Sequence, residues 1–205
     1  RRVYLRRACD DALLEGIRAG GACLVLASRQ VGKSSLLHHT ALALGGERYA
    51  CRIDLAGLIG ARDGLYAWCD VFAAAVVKAL NVPTRDRAWW SEARERTGSD
   101  AVETLFAAFD GVRCGAERPV VVMVDEVRTL LELPFRRDLV GLLGTLRERC
   151  ASTGGAEVSF VFAGVASVDE LAADVPSHPF TGRVVTVADF TLDEALRGFV
   201  GALDG

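Results

Sequence analysis

Lysine is scarce in this chain: it occurs at Lys33 and Lys78 only, against 22 arginines in 205 residues, so each lysine is a position to locate. No apolar run approaches the ~18 residues of a membrane helix and no signal peptide opens the chain, so no membrane partner is expected. The six cysteines form no C-x-x-C pair, and His38, His39 and His178 fall at no ligand spacing with any of them, which argues against zinc. They are read as reduced thiols of a cytoplasmic protein, several of them packed as small hydrophobes. Internal repeats and low-complexity tracts are absent. A net charge of −3 argues against a broad nucleic-acid-binding surface, though not against a local basic patch. Nucleic acid is therefore not an expected partner.

What is present describes a packed globular chain. Half the residues (51%) are hydrophobic and a quarter (25%) charged, which excludes general disorder. Short apolar, β-branched runs alternate with longer helical stretches, the pattern of βαβ units and a parallel sheet. Strands are expected over Ala22–Ala27, Tyr49–Leu55, Pro119–Asp125, Ser159–Gly164 and Val184–Val187. Helices are expected over Asp10–Arg18, Lys33–Leu44, Leu65–Leu80, Asp100–Arg113, Phe135–Cys150 and Leu192–Leu203. The stretch 81–98, with Pro83 and many charges, reads as a surface insertion. All 205 residues are read as one α/β domain. The chain opens on arginine and stops within a helix-like pattern, so it is expected to be a piece of a longer protein.

The sharpest local signal is Ala27-Ser28-Arg29-Gln30-Val31-Gly32-Lys33-Ser34-Ser35, directly after the first core strand and opening a helix. A triphosphate brings close to four negative charges, and its site needs backbone N–H groups, a helix N-terminus and a cation. A tight loop ending in Gly-Lys-Ser supplies all three. Gly32 lets the backbone approach the phosphates, Lys33 reaches the β/γ oxygens, and the Ser34 hydroxyl can ligate magnesium. Ala27 stands where the consensus has its first glycine; a positive φ there would cost about 1 kcal/mol and rearrange the loop slightly.

A second signal is Val120-Val-Val-Met-Val-Asp125-Glu126, an apolar run ending in two carboxylates. A buried strand delivers such acids to the edge where open α/β sheets bind ligands. Asp125 is expected to hold the magnesium shell and Glu126 to polarise the attacking water. Ser167, after the run Ser159–Gly164, either faces the γ-phosphate or caps a helix beginning at Val168. Arg183, before the last strand, is a candidate phosphate sensor, a contact for a neighbouring subunit, or simply an exposed arginine. Trp89-Trp90 is either a partner-binding patch or packing against the domain.

With these motifs in place, the chain resembles the AAA-like P-loop ATPase domain of bacterial multidomain signalling proteins, close to the signal-transduction ATPases with numerous domains. The resemblance spans nearly all 205 residues. It rests on Tyr4-Leu-Arg-Arg7-Ala-Cys-Asp10, the Ser28–Leu36 loop, Ile53-Asp54-Leu55, Val124-Asp-Glu-Val127, Phe162-Ala-Gly-Val165-Ala and Pro179-Phe…Gly182-Arg183…Asp189-Phe-Thr191. It implies a three-layer α/β fold whose five-stranded parallel sheet has an additional strand between the phosphate-loop and Asp-Glu strands. It also implies ATP/ADP and Mg2+ as cofactors, with the leading segment over the adenine, which nominates Tyr4, Leu5 and Arg7. The implied role is a slowly hydrolysing switch or oligomerisation engine, through self-association or contact with other domains of a longer chain. The helical lid or winged helix common in this superfamily is not expected within the chain. Arg128 departs from the pattern, which usually has an acid there. Two other roles stay open: a non-catalytic nucleotide-dependent interaction module, and a DNA-acting ATPase of the replication-initiator kind.

Overall fold

The structure, a computed structural model, describes residues 4–28, 30–58, 63–80, 95, 100–152, 156–173, 175, 178–192, 194 and 196. Arg29, the Trp89-Trp90 pair and nearly all of the expected insertion lie outside the described residues. Of the expected last helix only Leu192, Glu194 and Leu196 are described, and all three are helical.

The order is α1 (Ala8–Arg18), β1 (Ala22–Ala27), α2 (Lys33–Leu44), β2 (Tyr49–Asp54), α3 (Leu65–Leu80), α4 (Ala101–Gly115), β3 (Val120–Asp125), α5 (Arg136–Ser152), β4 (Val158–Gly164), α6 (Val168–Ala172) and β5 (Arg183–Val187). The five strands form one sheet in the order β2-β3-β4-β1-β5. Every pairing is parallel. β4 is the additional strand between β1, which leads into the phosphate loop, and β3, which ends in Asp125-Glu126.

Two apolar clusters sandwich the sheet. Leu13, Ile17, Leu36 and Leu37 of α1 and α2 pack with Val25, Met123 and Val161 on one face. Phe72, Leu105, Phe109 and Leu143 of α3, α4 and α5 pack with Val122, Phe160 and Phe162 on the other. Successive residues of a central strand thus enter opposite clusters, which is why β3 and β4 read as unbroken apolar runs. The edge strands β2 and β5 alternate buried and exposed positions instead.

At three element ends that differ from the sequence reading, a side chain accounts for the difference. β2 stops at Asp54 rather than Leu55 because the Asp54 carboxylate accepts the Ala56 N–H at 3.0 Å and starts a 3-10 turn over Leu55–Gly57. α4 starts at Ala101 because Asp100 is its cap, accepting the N–H groups of Val102 and Glu103 at 3.0 and 3.2 Å. α1 starts two residues before Asp10, whose carboxylate reaches back to the Arg7 N–H at 2.9 Å.

The Pro179-Phe…Gly182-Arg183 segment is built into the packing. Phe180 is buried with its edge on Phe162, ring centroids 5.1 Å apart. A Cβ on Gly182 would fall 2.0 Å from the Ala22 carbonyl oxygen, so only glycine lets the chain enter β5 alongside β1. Gly182→Ala is therefore expected to lower stability by about 1–3 kcal/mol through a forced backbone shift. Urea denaturation of the two proteins checks it; an unchanged midpoint would contradict this packing.

Candidate nucleotide site

β1, α2 and β3 converge at the carboxyl edge of the sheet. Ala27 is the last residue of β1, paired in register with Val187, and is not among the positive-φ residues. The expected strain at Ala27 is thus not incurred. The left-handed conformation falls on Gln30 (φ 66°) and on Gly32 (φ 89°), the residue before α2. Gly32 adopts it freely, whereas Gln30 carries a steric cost of about 1–2 kcal/mol.

Lys33, the first residue of α2, is buried and held by both acids of β3's end. Its Nζ lies 2.6 Å from Glu126 Oε1 and 3.0 Å from Asp125 Oδ1. Burial acts to lower the Lys33 pKa, but the hydrogen bonds to Glu126 and Asp125 outweigh it and hold the ammonium above its ordinary value. The Ser34 hydroxyl donates to Asp125 Oδ2 at 3.1 Å. Asp125 is 1% exposed and Glu126 41%, so one carboxylate is fixed and the other faces the opening. Glu126 itself sits at φ 57°, and its carbonyl accepts both the N–H and the hydroxyl of Thr129, at 3.0 and 2.8 Å. That turn aims its side chain across at Lys33.

Above these residues lies a cavity of about 480 Å3. Ser28, Gln30, Gly32, Lys33, Ser34, Ser35 and Glu126 line it, all of them singled out in the sequence. Arg128 and Val165 line it too, and were not assigned to the site.

The remaining candidates lie elsewhere. Arg183 begins β5 opposite Cys23 and pairs with Glu15 at 3.1 Å. It therefore stands at the amino edge of a parallel sheet whose carboxyl edge carries the phosphate loop, so Arg183 is no γ-phosphate sensor for its own site. The Ser167 hydroxyl accepts the Glu170 N–H at 3.2 Å, and Glu170 bonds back to the Ser167 N–H at 2.8 Å. This capping box makes Ser167 the start of α6, the second of its two sequence readings.

Tyr4 and Arg7 flank the phosphate loop but are engaged with protein. The Tyr4 ring stacks on His39 of α2, centroids 3.6 Å apart, and its hydroxyl donates to Asp10 at 2.5 Å. Burial first, then that hydrogen bond, pushes the phenol pKa well up. Arg7, 6% exposed, donates to the Val31 carbonyl at 2.9 Å and the Ala188 carbonyl at 3.3 Å, with its guanidinium over the Phe190 ring. Its guanidinium thus ties the phosphate loop at Val31 to the segment after β5 at Ala188.

Sequence reasoning also missed Arg52, whose Nε lies 3.5 Å from Asp125 Oδ2. Cys51 and Ile53 are buried against α3 while Arg52 and Asp54 point the other way, so the alternation of β2 was the available signal.

Comparison with solved structures places the architecture. The Walker-type ATPase of Pyrococcus abyssi superposes with TM-score 0.67 at 16% identity, over 98% of this chain and 58% of its own. The Aeropyrum pernix ORC2 protein, ADP form, gives TM-score 0.66 at 17% identity, over 99% and 53%. The fold is that of the P-loop ATPases. A signal-transduction ATPase with numerous domains and a tetratricopeptide repeat sensor, from Pyrococcus horikoshii, shares it at TM-score 0.54 and 10% identity, over 100% and 26%. By sequence, an uncharacterized WD repeat-containing protein of Synechocystis sp. is 28% identical over 94% of this chain, which spans 16% of that protein. No family model matches. Among the described residues no helix is long and apolar enough to cross a membrane.

Proposed function

We propose that this domain binds ATP and ADP with Mg2+ at the Lys33–Asp125–Glu126 cluster and hydrolyses ATP slowly, as a nucleotide-dependent switch or oligomerisation engine within a larger protein. The observation that carries the reading is the geometry at Lys33: one buried cation at a helix N-terminus, within 3.0 Å of both acids at the end of β3, beneath the phosphate-loop cavity. A phosphate oxygen replaces Glu126 as partner of Lys33, which frees the carboxylate to hold a water against the γ-phosphate. The oxygen of that water bonds to the γ-phosphorus, the bond to the β–γ bridging oxygen breaks, and ADP leaves with the electron pair. The Ser34 hydroxyl and the Asp125 carboxylate, 3.1 Å apart, are the hard oxygen donors that suit Mg2+. When bound, the metal neutralises phosphate charge. The larger context is supported by the WD repeat-containing relative, of which this chain matches 16%.

Steady-state phosphate release is the test. On the order of one turnover per minute or fewer is expected, the range of P-loop hydrolases without a partner's arginine. Nucleotide binding without any magnesium-dependent release of ADP would leave a non-catalytic interaction module instead. A second reading, a DNA-acting ATPase of the replication-initiator kind, is favoured by the likeness to the ORC2 protein. Salt-dependent binding to duplex DNA would support it.

A further inference from the structure

Hydrolysis at this site needs positive charge on the γ-phosphate beyond what Lys33 brings to the β/γ oxygens, and the described residues offer few sources. Arg183 is at the wrong edge of the sheet. Beyond β4, Val165 and Ala166 bring no polar side chain to the cavity, and the Ser167 hydroxyl is spent on capping α6. Among the described residues that line the cavity, the cations are Lys33 and Arg128.

We propose that Arg128 is the domain's own γ-phosphate arginine, contacting the terminal phosphate from the turn that follows β3. This assignment rests on the nucleotide reading above and extends it to a residue that distinguishes ATP from ADP.

The backbone under Arg128 is held on both sides while its side chain is exposed. Arg128 lies two residues beyond Glu126, in a 3-10 turn over Val127–Glu132. Thr129 clamps the Glu126 carbonyl through two hydrogen bonds, so the start of the turn cannot drift. On the other side the turn rests directly against the end of β4. A Cβ on Gly164 would lie 2.7 Å from Val127 Cγ2, 3.3 Å from the Val127 nitrogen and 3.5 Å from the Arg128 nitrogen. The side chain is exposed and lines the cavity. Its charge also reaches Glu170, whose carboxyl is held below its ordinary pKa by Ser167 first and by Arg128 last. A long cation on a fixed stem, at the rim of the phosphate cavity and beside the carboxylate that holds the water, is suited to charge that develops on the γ-phosphoryl oxygens and the bridging oxygen. ADP lacks that phosphate, so the contact exists with ATP alone.

The test uses the 205-residue chain, Arg128→Ala and Arg128→Lys, titrated calorimetrically with MgADP and with a magnesium complex of a non-hydrolysable ATP analogue. Arg128→Ala should leave MgADP affinity within about twofold, weaken the analogue about tenfold or more, and slow phosphate release by at least about 10²-fold. Arg128→Lys should keep part of the preference for the triphosphate, because it keeps the charge without the planar fork. Wild-type turnover per molecule should not depend on protein concentration, since the arginine acts within one chain. Equal affinities and rates in wild type and Arg128→Ala, or an equal loss for both nucleotides, overturns the assignment of Arg128 alone. A wild-type chain that binds neither nucleotide overturns the site reading and this assignment with it. Melting curves of the three proteins should coincide, since the side chain is exposed.

Discussion

Replacing Lys33 with alanine is expected to remove most of the thermal stabilisation that MgADP or MgATP should give the wild-type chain. At about 100 times its Kd a ligand adds roughly 2.7 kcal/mol, which for a chain of this size raises the melting temperature by about 5–10 °C. Most of that depends on Lys33. Its ammonium sits at the start of α2, where loop N–H groups and the helix N-terminus already favour anions, and it is the buried cation beneath the cavity. The variant retains a partner set for the buried acid: Asp125 keeps the Ser34 hydroxyl at 3.1 Å and Arg52 at 3.5 Å. It therefore folds, from a lower starting temperature, and each protein is compared with itself with and without nucleotide. A full shift in Lys33→Ala would place the phosphates somewhere other than this loop.

Glu126→Gln separates binding from chemistry. The substitution keeps the size and hydrogen-bonding reach of the side chain and removes only its charge. Asp125 still holds Lys33 at 3.0 Å and Ser34 at 3.1 Å, so the groups proposed to grip phosphate and metal are unchanged. MgATP affinity should stay the same or rise, because one carboxylate no longer competes with phosphate for Lys33. Phosphate release should fall by about 10²–10⁴-fold, the usual contribution of a positioned general base. Single-turnover and steady-state phosphate release on the same preparation decide it. Undiminished release in Glu126→Gln would remove Glu126 from the mechanism while leaving the binding site intact.

Much of the fold was legible because burial leaves a mark in the sequence. β3 and β4 are covered on both faces and so carry apolar residues at consecutive positions; β2 and β5, at the edges, alternate. That Lys33 and Ser34 would meet Asp125 and Glu126 was legible for a different reason: the phosphate and metal chemistry proposed for them calls for those residue types in that order. Arg183 shows information that was present but unused. A residue preceding a parallel strand lies at its amino edge, whereas the phosphate loop follows β1 at the carboxyl edge, so topology already separated the two.

Other roles had no local signature. Arg7 reaches Val31 across 24 positions and Ala188 across 181, contacts that only the folded chain creates. The position of Arg128 depends on Gly164 allowing the end of β4 to touch the turn, again a contact between segments far apart in sequence. Ser167 was ambiguous in the sequence because a hydroxyl at a strand end serves equally as phosphate contact or helix cap; the geometry of Glu170 decides for the cap.

The central claim is that one nucleotide binds on the Lys33 loop. Isothermal titration of MgADP into the 205-residue chain, repeated on Lys33→Ala, tests it most directly. The account predicts saturable binding of one ADP per chain with a Kd of about 10 μM or tighter, equivalent to roughly 7 kcal/mol, and no measurable binding to the variant. No binding to the wild-type chain, or equal binding to both proteins, would contradict it.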